Sequence, residues 1–341
     1  MLEGKDLILA TKKYAKENRA QSWAYTLSTL VLLIAALLGT LLVHPVLLKV
    51  LCSITAGLLT VRFFVIYHDY QHHTILTKSK LANAIMVIFG IYILAPESIW
   101  KRSHDYHHAH NSKLYTASIG SFPIVTKDKY LSLSKKERFS YLLIRHPLTI
   151  ALGYFSMFML GMCVKSFLSC PKRHVDSLIA LIVHFTASVL VFWLLGWQAW
   201  LLCVFVPFFI AHGLGAYLFY AQHNFPTVSF RDKDGWTYET AALDSSSYMS
   251  MNPVMQWFTA NIGYHHIHHL NSRIPFYRLP EVMDAFKELQ HAKKTSLKIK
   301  DVIACFKLKV WDIEMQKMVG VPDVNTIVVK VKAPIPVPVE A

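Results

Sequence analysis

The chain has 341 residues, of which 54% are hydrophobic and 16% are charged, and its formal net charge is +14. Soluble domains carry about 25% charged residues, so this composition argues against a soluble protein and indicates a membrane protein. A basic face held against anionic lipid accounts for the charge better than nucleic-acid binding does, because the sequence has no basic recognition helix and no aromatic RNA-binding motif.

Residues 1–23 form a basic, amphipathic lead-in that we expect to lie in the cytosol. Two apolar runs follow, over 24–43 and 46–67, and each approaches the ~20 residues that a spanning helix requires. Because only two residues separate the runs, they predict a helical hairpin whose outer ends lie on one side of the membrane. A second helix continued to residue 73 would be about 42 Å long, which exceeds the ~30 Å hydrocarbon core, so its last turns should emerge from the bilayer.

The later apolar runs differ in length and in the charges beside them, and they cover 81–95, 147–168, 177–195 and 197–220. The first is too short to span and ends before Pro96, which favours an interfacial or re-entrant segment. Lys172 and Arg173 follow the second run, and the positive-inside rule favours keeping that run on the cytoplasmic side. The alternative, in which all of the last three runs cross, would place the histidine-rich segments described below on opposite faces.

The sequence thus predicts an all-α integral membrane protein with four transmembrane helices in two hairpins, interfacial helices and a cytosolic, histidine-rich cap. We expect the membrane domain over 24–290 and a basic cytosolic tail over 291–341, whose Pro- and Val-rich end should be extended or disordered. The five cysteines form no C-x-x-C pair, so we expect free thiols that do not ligate a metal.

Three histidine-rich clusters are the main indication of function: HDYQHH from His68, HDYHHAHN from His104 and HHIHH from His265. Within each cluster most histidines are three or four positions apart, and such residues share one face of a helix. Protonated imidazoles on one face would repel each other, whereas neutral imidazoles that bind a metal use their lone pairs. Imidazole suits Zn, Cu, Fe and Ni, and nine or more arranged histidines are enough for two ions.

A further histidine, His223, lies just after the last apolar run, where the clusters should meet. The candidate metal ligands are therefore His68, His72, His73, His104, His107, His108, His223, His265, His268 and His269. His110 and His266 lie beside the i, i+3, i+4 spacing, and we do not expect them to be ligands. His184 and His212 fall inside predicted spans, where packing is as good an explanation as function.

Two carboxylates and four aromatic residues accompany the clusters. Asp69 and Asp105 each follow the first histidine of a cluster, and either could orient an imidazole or remain a solvated surface group. The aromatic residues are candidates for lining or gating a substrate tunnel, with core packing or an interfacial belt as the alternative role. They are Trp100, Trp236, Trp257 and Tyr264.

These motifs resemble the histidine boxes of integral-membrane fatty acid desaturases. HDYQHH resembles the first box (H-x-x-x-H-H), HDYHH the second (H-x-x-H-H) and HHIHH the third. The surrounding NIGYHHIHHLNSRIPFYRLPE is most similar to the acyl-lipid omega-6/delta-12 branch, and the resemblance covers most of residues 25–290. It implies four spanning helices under a cytosolic cap and a non-haem di-iron centre held almost entirely by histidine.

By position, the resemblance implies that His68 and His73 are first-box ligands, with His72 as a ligand or a close support. It implies the same ligand role for the second box, the third box and the histidine after the last span, which are His104, His107, His108, His265, His268, His269 and His223. The third box begins with His265 where front-end desaturases usually have Gln, and the H-P-G-G motif of their fused haem domain is missing. Both features argue against that branch.

The resemblance implies O2-dependent introduction of a cis double bond into a fatty acyl chain, with two Fe2+ ions and an external electron donor such as ferredoxin or a cytochrome. The expected substrate is an acyl lipid, and an acyl group on CoA or on a carrier protein is the alternative. A hydroxylase or ketolase-type oxygenase on the same scaffold is the alternative within the enzymes. From another class, the alternative is a metal transporter or sensor, although a transporter should place its ligands near the bilayer midplane.

The expected location is the bacterial inner membrane with the active site facing the cytoplasm, and the endoplasmic reticulum is the alternative. This expectation rests on the short tails and on the absence of a transit-peptide pattern in the first residues.

Overall fold

The computed structural model describes residues 2–114, 122–231 and 235–323, and the described chain is mostly helical. Its first third carries five helices: α1 (Gly4–Thr11), α2 (Arg19–Leu42), α3 (Val46–Gln71), α4 (Lys80–Tyr92) and α5 (Glu97–His110). A short 3₁₀ turn over Lys12–Tyr14 continues α1.

Helices α2 and α3 pack along each other and match the first two predicted runs. The side chain of Asn18 accepts a hydrogen bond from the backbone N–H of Gln21, which satisfies one of the free donors at the start of α2. The two backbones approach closely at Gly39, where an added Cβ would lie 2.7 Å from Sγ of Cys52. Their close packing directs the end of α3, with His68, toward the cluster region.

Helix α4 covers the short apolar run predicted as interfacial, and it meets α5 at a bend of 90°. Pro96 stands directly before α5, where its missing N–H leaves no helical bond unmade. Because of the bend, α5 turns away from the direction of α4 and presents its histidines to the end of α3.

The run over 147–168 is not one regular helix. The middle of the chain consists of α6 (Lys127–Ser132), α7 (Lys135–Ile144), α8 (Pro147–Ala151), a π-helical segment (Tyr154–Lys165) and α9 (Ser166–Ser169). A capping box at Ser134 and Glu137 begins α7. At Gly153 an added Cβ would lie 2.6 Å from the carbonyl oxygen of His212, so this segment packs directly on the backbone of the last long helix.

The two remaining long apolar helices are α10 (Val175–Leu195) and a continuous helical segment over Trp197–Ala221, which divides into α11 (Trp197–Trp200), a π-helical turn (Leu201–Phe205) and α12 (Val206–Ala221). Gly196 separates them with φ of 87°, a left-handed conformation that glycine adopts without strain. Within the described ranges, four helices are therefore long and apolar enough to cross a membrane, or five if the bent α4–α5 pair is one span.

The C-terminal part is a mixture of short helices and strands. It contains α13 (Tyr238–Ser245), β1 (Tyr248–Ser250), α14 (Pro253–Phe258), α15 (His265–Leu270), a 3₁₀ turn (Phe276–Arg278), α16 (Leu279–Ala285), α17 (Lys287–Gln290), β2 (Lys294–Ser296), α18 (Ile299–Lys307), β3 (Val310–Asp312) and β4 (Lys317–Val319). Strand β1 pairs in parallel with β2, and β3 pairs antiparallel with β4. The chain is mostly helical, as the all-α prediction expected, and the two small sheets, which were not predicted, are a minor addition to it.

The segment after residue 290 packs back on the rest of the chain. Trp311 is buried, and its backbone N–H donates to the carbonyl oxygen of Val125. The hydroxyl of Tyr220 donates to the carbonyl oxygens of Cys305 and Leu308. The predicted Pro- and Val-rich end lies outside the described residues. All five cysteines are free thiols, as predicted.

Candidate metal centre

Nine of the ten candidate histidines converge into two groups, each with its nitrogens within 4.8 Å of one another. The first group contains His68, His72, His104, His108 and His268. The second contains His107, His223, His265 and His269. All three sequence clusters thus reach one place in the fold.

Helix periodicity explains how two clusters serve both groups. On α5, His104 and His108 are one turn apart and enter the first group, while His107 points into the second. On α15, His265 and His269 lie on one face and enter the second group. His268, which lies between them in the sequence, enters the first group. The groups are therefore neighbours that share two helices.

The remaining members come from the ends of the long helices. His68 lies in the last turn of α3, His72 follows that helix, and His223 follows α12. The rings of His108 and His269, one from each group, stack with centroids 4.2 Å apart. The geometry can therefore hold two ions side by side.

The short distances between Nε2 atoms cannot all be hydrogen bonds. In the first group, the Nε2 atoms of His72, His104, His108 and His268 succeed one another at 2.9, 3.1 and 3.0 Å. A neutral Nε2 carries either one hydrogen or one lone pair, so an inner nitrogen of this series can hydrogen-bond only one of its two neighbours. At least one close contact is left without a hydrogen bond unless a cation lies between the nitrogens.

The second group repeats this arrangement. Its Nε2 series runs through His107, His223, His265 and His269 at 3.1, 2.9 and 3.1 Å. Two imidazole nitrogens about 2.1 Å from a shared ion and about 90° apart would be separated by about 3 Å. The observed spacings therefore fit adjacent ligands of one transition-metal ion in each group.

Burial favours the neutral form of several of these imidazoles. It lowers the pKa of His265, His268 and His269 well below the usual value, and the neighbouring imidazoles lower it further. For His223, burial lowers the pKa to about 4, although a hydrogen bond to a backbone carbonyl opposes the shift. Neutral imidazole is the form that binds a metal, so lone pairs are available at neutral pH.

Two ligand candidates have partners that set the orientation of the ring. Nδ1 of His223 lies 2.9 Å from the carbonyl oxygen of Ser245, which makes Nδ1 the protonated nitrogen and leaves the Nε2 lone pair for a metal. Nδ1 of His68 lies 3.2 Å from a carboxylate oxygen of Asp69. The other oxygen of Asp69 accepts a hydrogen bond from the backbone N–H of Phe276 at 2.7 Å. Such partners fix the tautomer of a metal-binding histidine.

The two acidic candidates therefore differ. Asp69 is 1% exposed and contacts a histidine of the first group. The Asp105 side chain is 52% exposed and pairs with Lys101 at 2.9 Å. Of the two roles considered for it, Asp105 therefore has that of a solvated surface carboxylate.

Three histidines of the clusters lie outside both groups. His73 is exposed and has φ of 55°, so the chain turns away from the site directly after His72. His266 is buried but directs Nε2 to the carbonyl oxygen of Leu289 at 3.2 Å. His110 directs Nδ1 to the carbonyl oxygen of Tyr106.

The histidines inside the long helices also stay apart from the groups. His184 contacts the hydroxyl of Tyr154. Both ring nitrogens of His212 face backbone carbonyls, of Phe208 at 2.7 Å and of Ile93 at 2.9 Å. Hydrogen bonding between helices accounts for both residues.

The aromatic candidates take four different positions. Trp100 stacks on His104 with centroids 5.0 Å apart and planes at 12°, so it covers one wall of the first group. Trp257 covers the guanidinium of Arg62 at 4.1 Å. The ring of Tyr264 packs against that of Tyr248 with the planes tilted by 33°, and the indole N–H of Trp236 donates to the carbonyl oxygen of Asn111 at 2.7 Å. Only Trp100 of the four touches a histidine of the two groups through its ring.

Two contributors to the site were not predicted, Ser245 and Phe276. Both act through backbone atoms, the carbonyl oxygen of Ser245 and the N–H of Phe276. A side-chain pattern carries no signal for such contacts. The only sequence indication was the position of Phe276 in the segment that follows the third cluster.

Comparisons with known proteins all indicate the same family. The model of the fatty acid desaturase family matches residues 45–298. A fatty acid desaturase from Bacillus subtilis (strain 168) is 31% identical over 274 residues, which are 79% of this chain and 76% of that protein. An sn-1 oleoyl-lipid 12-desaturase from a Synechocystis species is 23% identical over 290 residues, which are 84% and 82% of the two chains. A chloroplastic omega-6 fatty acid desaturase from Arabidopsis thaliana is 25% identical over 66% of this chain and 50% of its own.

Proposed function

The chain belongs to the fatty acid desaturase family, whose members are oxidoreductases, and on this premise we propose that it introduces a cis double bond into a fatty acyl chain at a centre of two non-haem iron ions. The observation that carries the proposal is the pair of histidine groups, each with Nε2 atoms about 3 Å apart around a common point. Imidazole alone would also suit Zn, Cu or Ni, so the choice of iron rests on the family.

We propose as iron ligands the nine histidines of the two groups, His68, His72, His104, His108 and His268 for one ion and His107, His223, His265 and His269 for the other. His73 is left out of the set because it is exposed and turned away from both groups. Asp69 and the carbonyl of Ser245 would hold His68 and His223 in the tautomers that bind through Nε2.

In the proposed membrane topology, the outer ends of both helical hairpins lie on the same side of the membrane as the histidine groups. Asp176, at the start of α10, accepts hydrogen bonds from the backbone N–H and the hydroxyl of Ser98, at the start of α5. His174 also contacts the Ser98 hydroxyl, at 2.8 Å. These contacts support placing residues 170–176 on the same side as the histidine groups. We therefore retain four spans, a cytosolic cap, the membrane domain over 24–290 and the tail over 291–341.

When bound, the two iron ions would supply the O2-dependent chemistry: two adjacent acyl CH2 groups lose two hydrogens, and O2 takes up these together with two electrons and two protons to form two waters. The chain itself orients the imidazoles and excludes bulk water. Trp100, which is 1% exposed, closes the first group on one side. Seven of the nine histidines are buried, so the reacting carbons would meet a site largely closed to solvent.

The proposed substrate is an acyl lipid, because relatives that match most of this chain are named as oleoyl-lipid 12-desaturases. The proposed electron donor is a separate ferredoxin or cytochrome, and the proposed location is a bacterial inner membrane with the site facing the cytoplasm. A metal transporter is disfavoured, since none of the nine histidines lies in the middle of a long apolar helix: His68, His72 and His223 lie at the ends of such helices, and the other six lie on the short helices α5 and α15.

Fatty-acid profiling by mass spectrometry, after expression in a host that supplies a suitable electron donor, tests the function. We expect a new mono- or di-unsaturated acyl species with the wild type and none with His268→Ala, while membrane insertion of the variant is verified by blotting. Hydroxylated lipid without a new double bond would instead support the oxygenase alternative and contradict the desaturase.

A further inference from the structure

A cavity of about 490 Å³ opens beside the small sheet of β1 and β2. It lies between the segment that runs from β1 into α14 and the segment that runs from β2 into α18. Its described lining combines three apolar side chains with three lysines. These six residues are Met251, Met255, Leu297, Lys294, Lys298 and Lys300. The cavity is therefore suited to an anion that carries an apolar part.

One carboxylate, that of Asp301, also lines the cavity, and it already has a partner. It accepts a hydrogen bond from the hydroxyl of Ser296, and this hydroxyl accepts one from the backbone N–H of Lys298 at 3.1 Å. Asp301 also lies in the first turn of α18, where a negative charge is favourable. Three lysines and one carboxylate leave the described lining with a net positive charge.

Helix α14, on one side of the cavity, packs on the long apolar helix α3. The carbonyl oxygen of Trp257 accepts a hydrogen bond from the guanidinium of Arg62, which lies 4.1 Å from the centre of the Trp257 ring. Trp257 nevertheless remains partly exposed, and Val254 is 64% exposed. Tryptophan is enriched at the level of the lipid headgroups, so α14 has the composition and the attachment of an interfacial helix.

Helix α18, on the other side, packs on the last turns of the long apolar helix α12. The ring of Phe306 lies 5.6 Å from that of Tyr217 and 5.3 Å from that of Tyr220. Ile303 and Ile299 come three and seven positions before Phe306, so they continue the same face of the helix. Both are exposed, Ile299 to 78%. An apolar face that begins on a long apolar helix thus extends beyond the protein.

The two helices together present apolar side chains and lysines beside the ends of α3 and α12. These two long helices pack on each other, and the ends in question carry His68 and precede His223. Apolar residues next to lysines match the boundary between acyl chains and anionic headgroups, where each lysine contributes about 1 kcal/mol of attraction.

We propose that this cavity binds the phosphate group of an anionic phospholipid, from the leaflet on the side of the histidine groups. Lys298 and Lys300 are its cationic contacts, and its acyl chains lie along the exposed apolar residues of α14 and α18. This lipid is a bound component of the protein and not the molecule that reacts.

The proposed lipid site is one strand away from the third histidine cluster. The backbone N–H of Met249, in β1, donates to the carbonyl oxygen of Gly263 at 2.7 Å, two residues before His265. Strand β1 also pairs with β2, which leads into α18. A lipid held between the two segments would therefore stabilise the sheet that supports this cluster, and should raise the melting temperature.

The site is tested with full-length protein in detergent micelles. Microscale thermophoresis measures dissociation constants for a soluble short-chain phosphatidylglycerol, for the matching phosphatidylcholine and for inorganic phosphate. The wild type should bind phosphatidylglycerol at least tenfold more tightly than either of the other two probes. The double variant Lys298→Gln, Lys300→Gln should lose at least tenfold in this affinity, and phosphatidylglycerol should no longer raise its melting temperature.

The matched control is the double variant Lys287→Gln, Lys317→Gln, which removes two exposed lysines on α17 and β4. Because its net charge changes equally, it separates the cavity from general electrostatic attraction, and it should bind like the wild type. Equal loss in both double variants, or equal wild-type affinity for the two lipids, would overturn the proposal. Phosphate bound as tightly as phosphatidylglycerol would overturn it in favour of a free anion. Unchanged lipid binding by the first double variant, with loss of binding to an acidic ferredoxin, would assign the surface to a protein instead.

Discussion

The carboxylate of Asp69 accepts a 2.7 Å hydrogen bond from the backbone N–H of Phe276. Asp69 belongs to the first histidine cluster, and Phe276 lies in the segment that follows the third. The other carboxylate oxygen of Asp69 contacts Nδ1 of His68. This buried side chain therefore connects a proposed metal ligand with the segment that follows the third cluster.

Asp69→Asn should weaken metal binding in the first group. The amide keeps the size of the side chain but removes the charge that favours the Nδ1–H tautomer of His68, and loss of such a partner typically lowers metal affinity 10–100-fold. Competition titration with a chelator measures the change. Asp105→Asn, which alters an exposed carboxylate that pairs with Lys101, is the matched control and should bind iron like the wild type. Equal affinities for the two variants would contradict this role of Asp69.

His72 and His73 should respond differently to substitution, although they are neighbours in HDYQHH. His72→Ala removes a nitrogen of the first group and should abolish desaturation. His73→Ala removes an exposed side chain and should leave at least half of the activity. Fatty-acid profiling of both variants at matched expression tells which of the two histidines is the ligand. Loss of activity in His73→Ala alone would show that His73, rather than His72, faces the first group.

Acid should destabilise the metal-free protein partly through His266. Burial lowers its folded-state pKa to about 4, below the ordinary value of about 6.5. As the pH falls from about 6.5 toward 4, the unfolded chain takes up a proton that the folded chain does not, so stability falls, by up to about 3 kcal/mol from this group. Thermal unfolding across this pH window should show a shallower decline for His266→Gln.

The control for this effect is His291→Gln, because His291 is exposed. It should follow the wild-type decline. A His266→Gln protein whose melting temperature falls as steeply as that of the wild type would show that the proton uptake occurs elsewhere.

Gly153→Ala should destabilise the fold, because its Cβ would lie 2.6 Å from the carbonyl oxygen of His212, a backbone atom that cannot rotate away. Overpacking of this kind costs about 1–3 kcal/mol. Gly215→Ala, where an added Cβ meets nothing within 4 Å, is the matched control and should be neutral or slightly stabilising. Thermal denaturation in detergent compares the two, and similar melting temperatures would contradict the close helix contact.

Much of the site follows from sequence spacing alone. Histidines three and four positions apart share a helix face, which predicted one common site for His104, His107 and His108, and likewise for His265, His268 and His269. The spacing did not predict that His107 and His268 would each enter a different group from the other two histidines of their cluster. The spacing could not decide between His72 and His73, because α3 ends at Gln71 and the direction of each ring depends on the turn that follows.

Long-range contacts were also beyond the sequence pattern. The pairing of β1 with β2 joins residues more than forty positions apart, and a three-residue strand has too little periodicity to be recognised.

The most direct test of the central claim is the iron content of the purified protein, measured by plasma mass spectrometry after iron loading. Two histidine groups predict two iron ions per chain in the wild type. His104→Ala and His265→Ala, which each remove a nitrogen from a different group, should each retain about one. A wild type that holds a single ion, or only labile zinc, would contradict a two-iron centre in this chain.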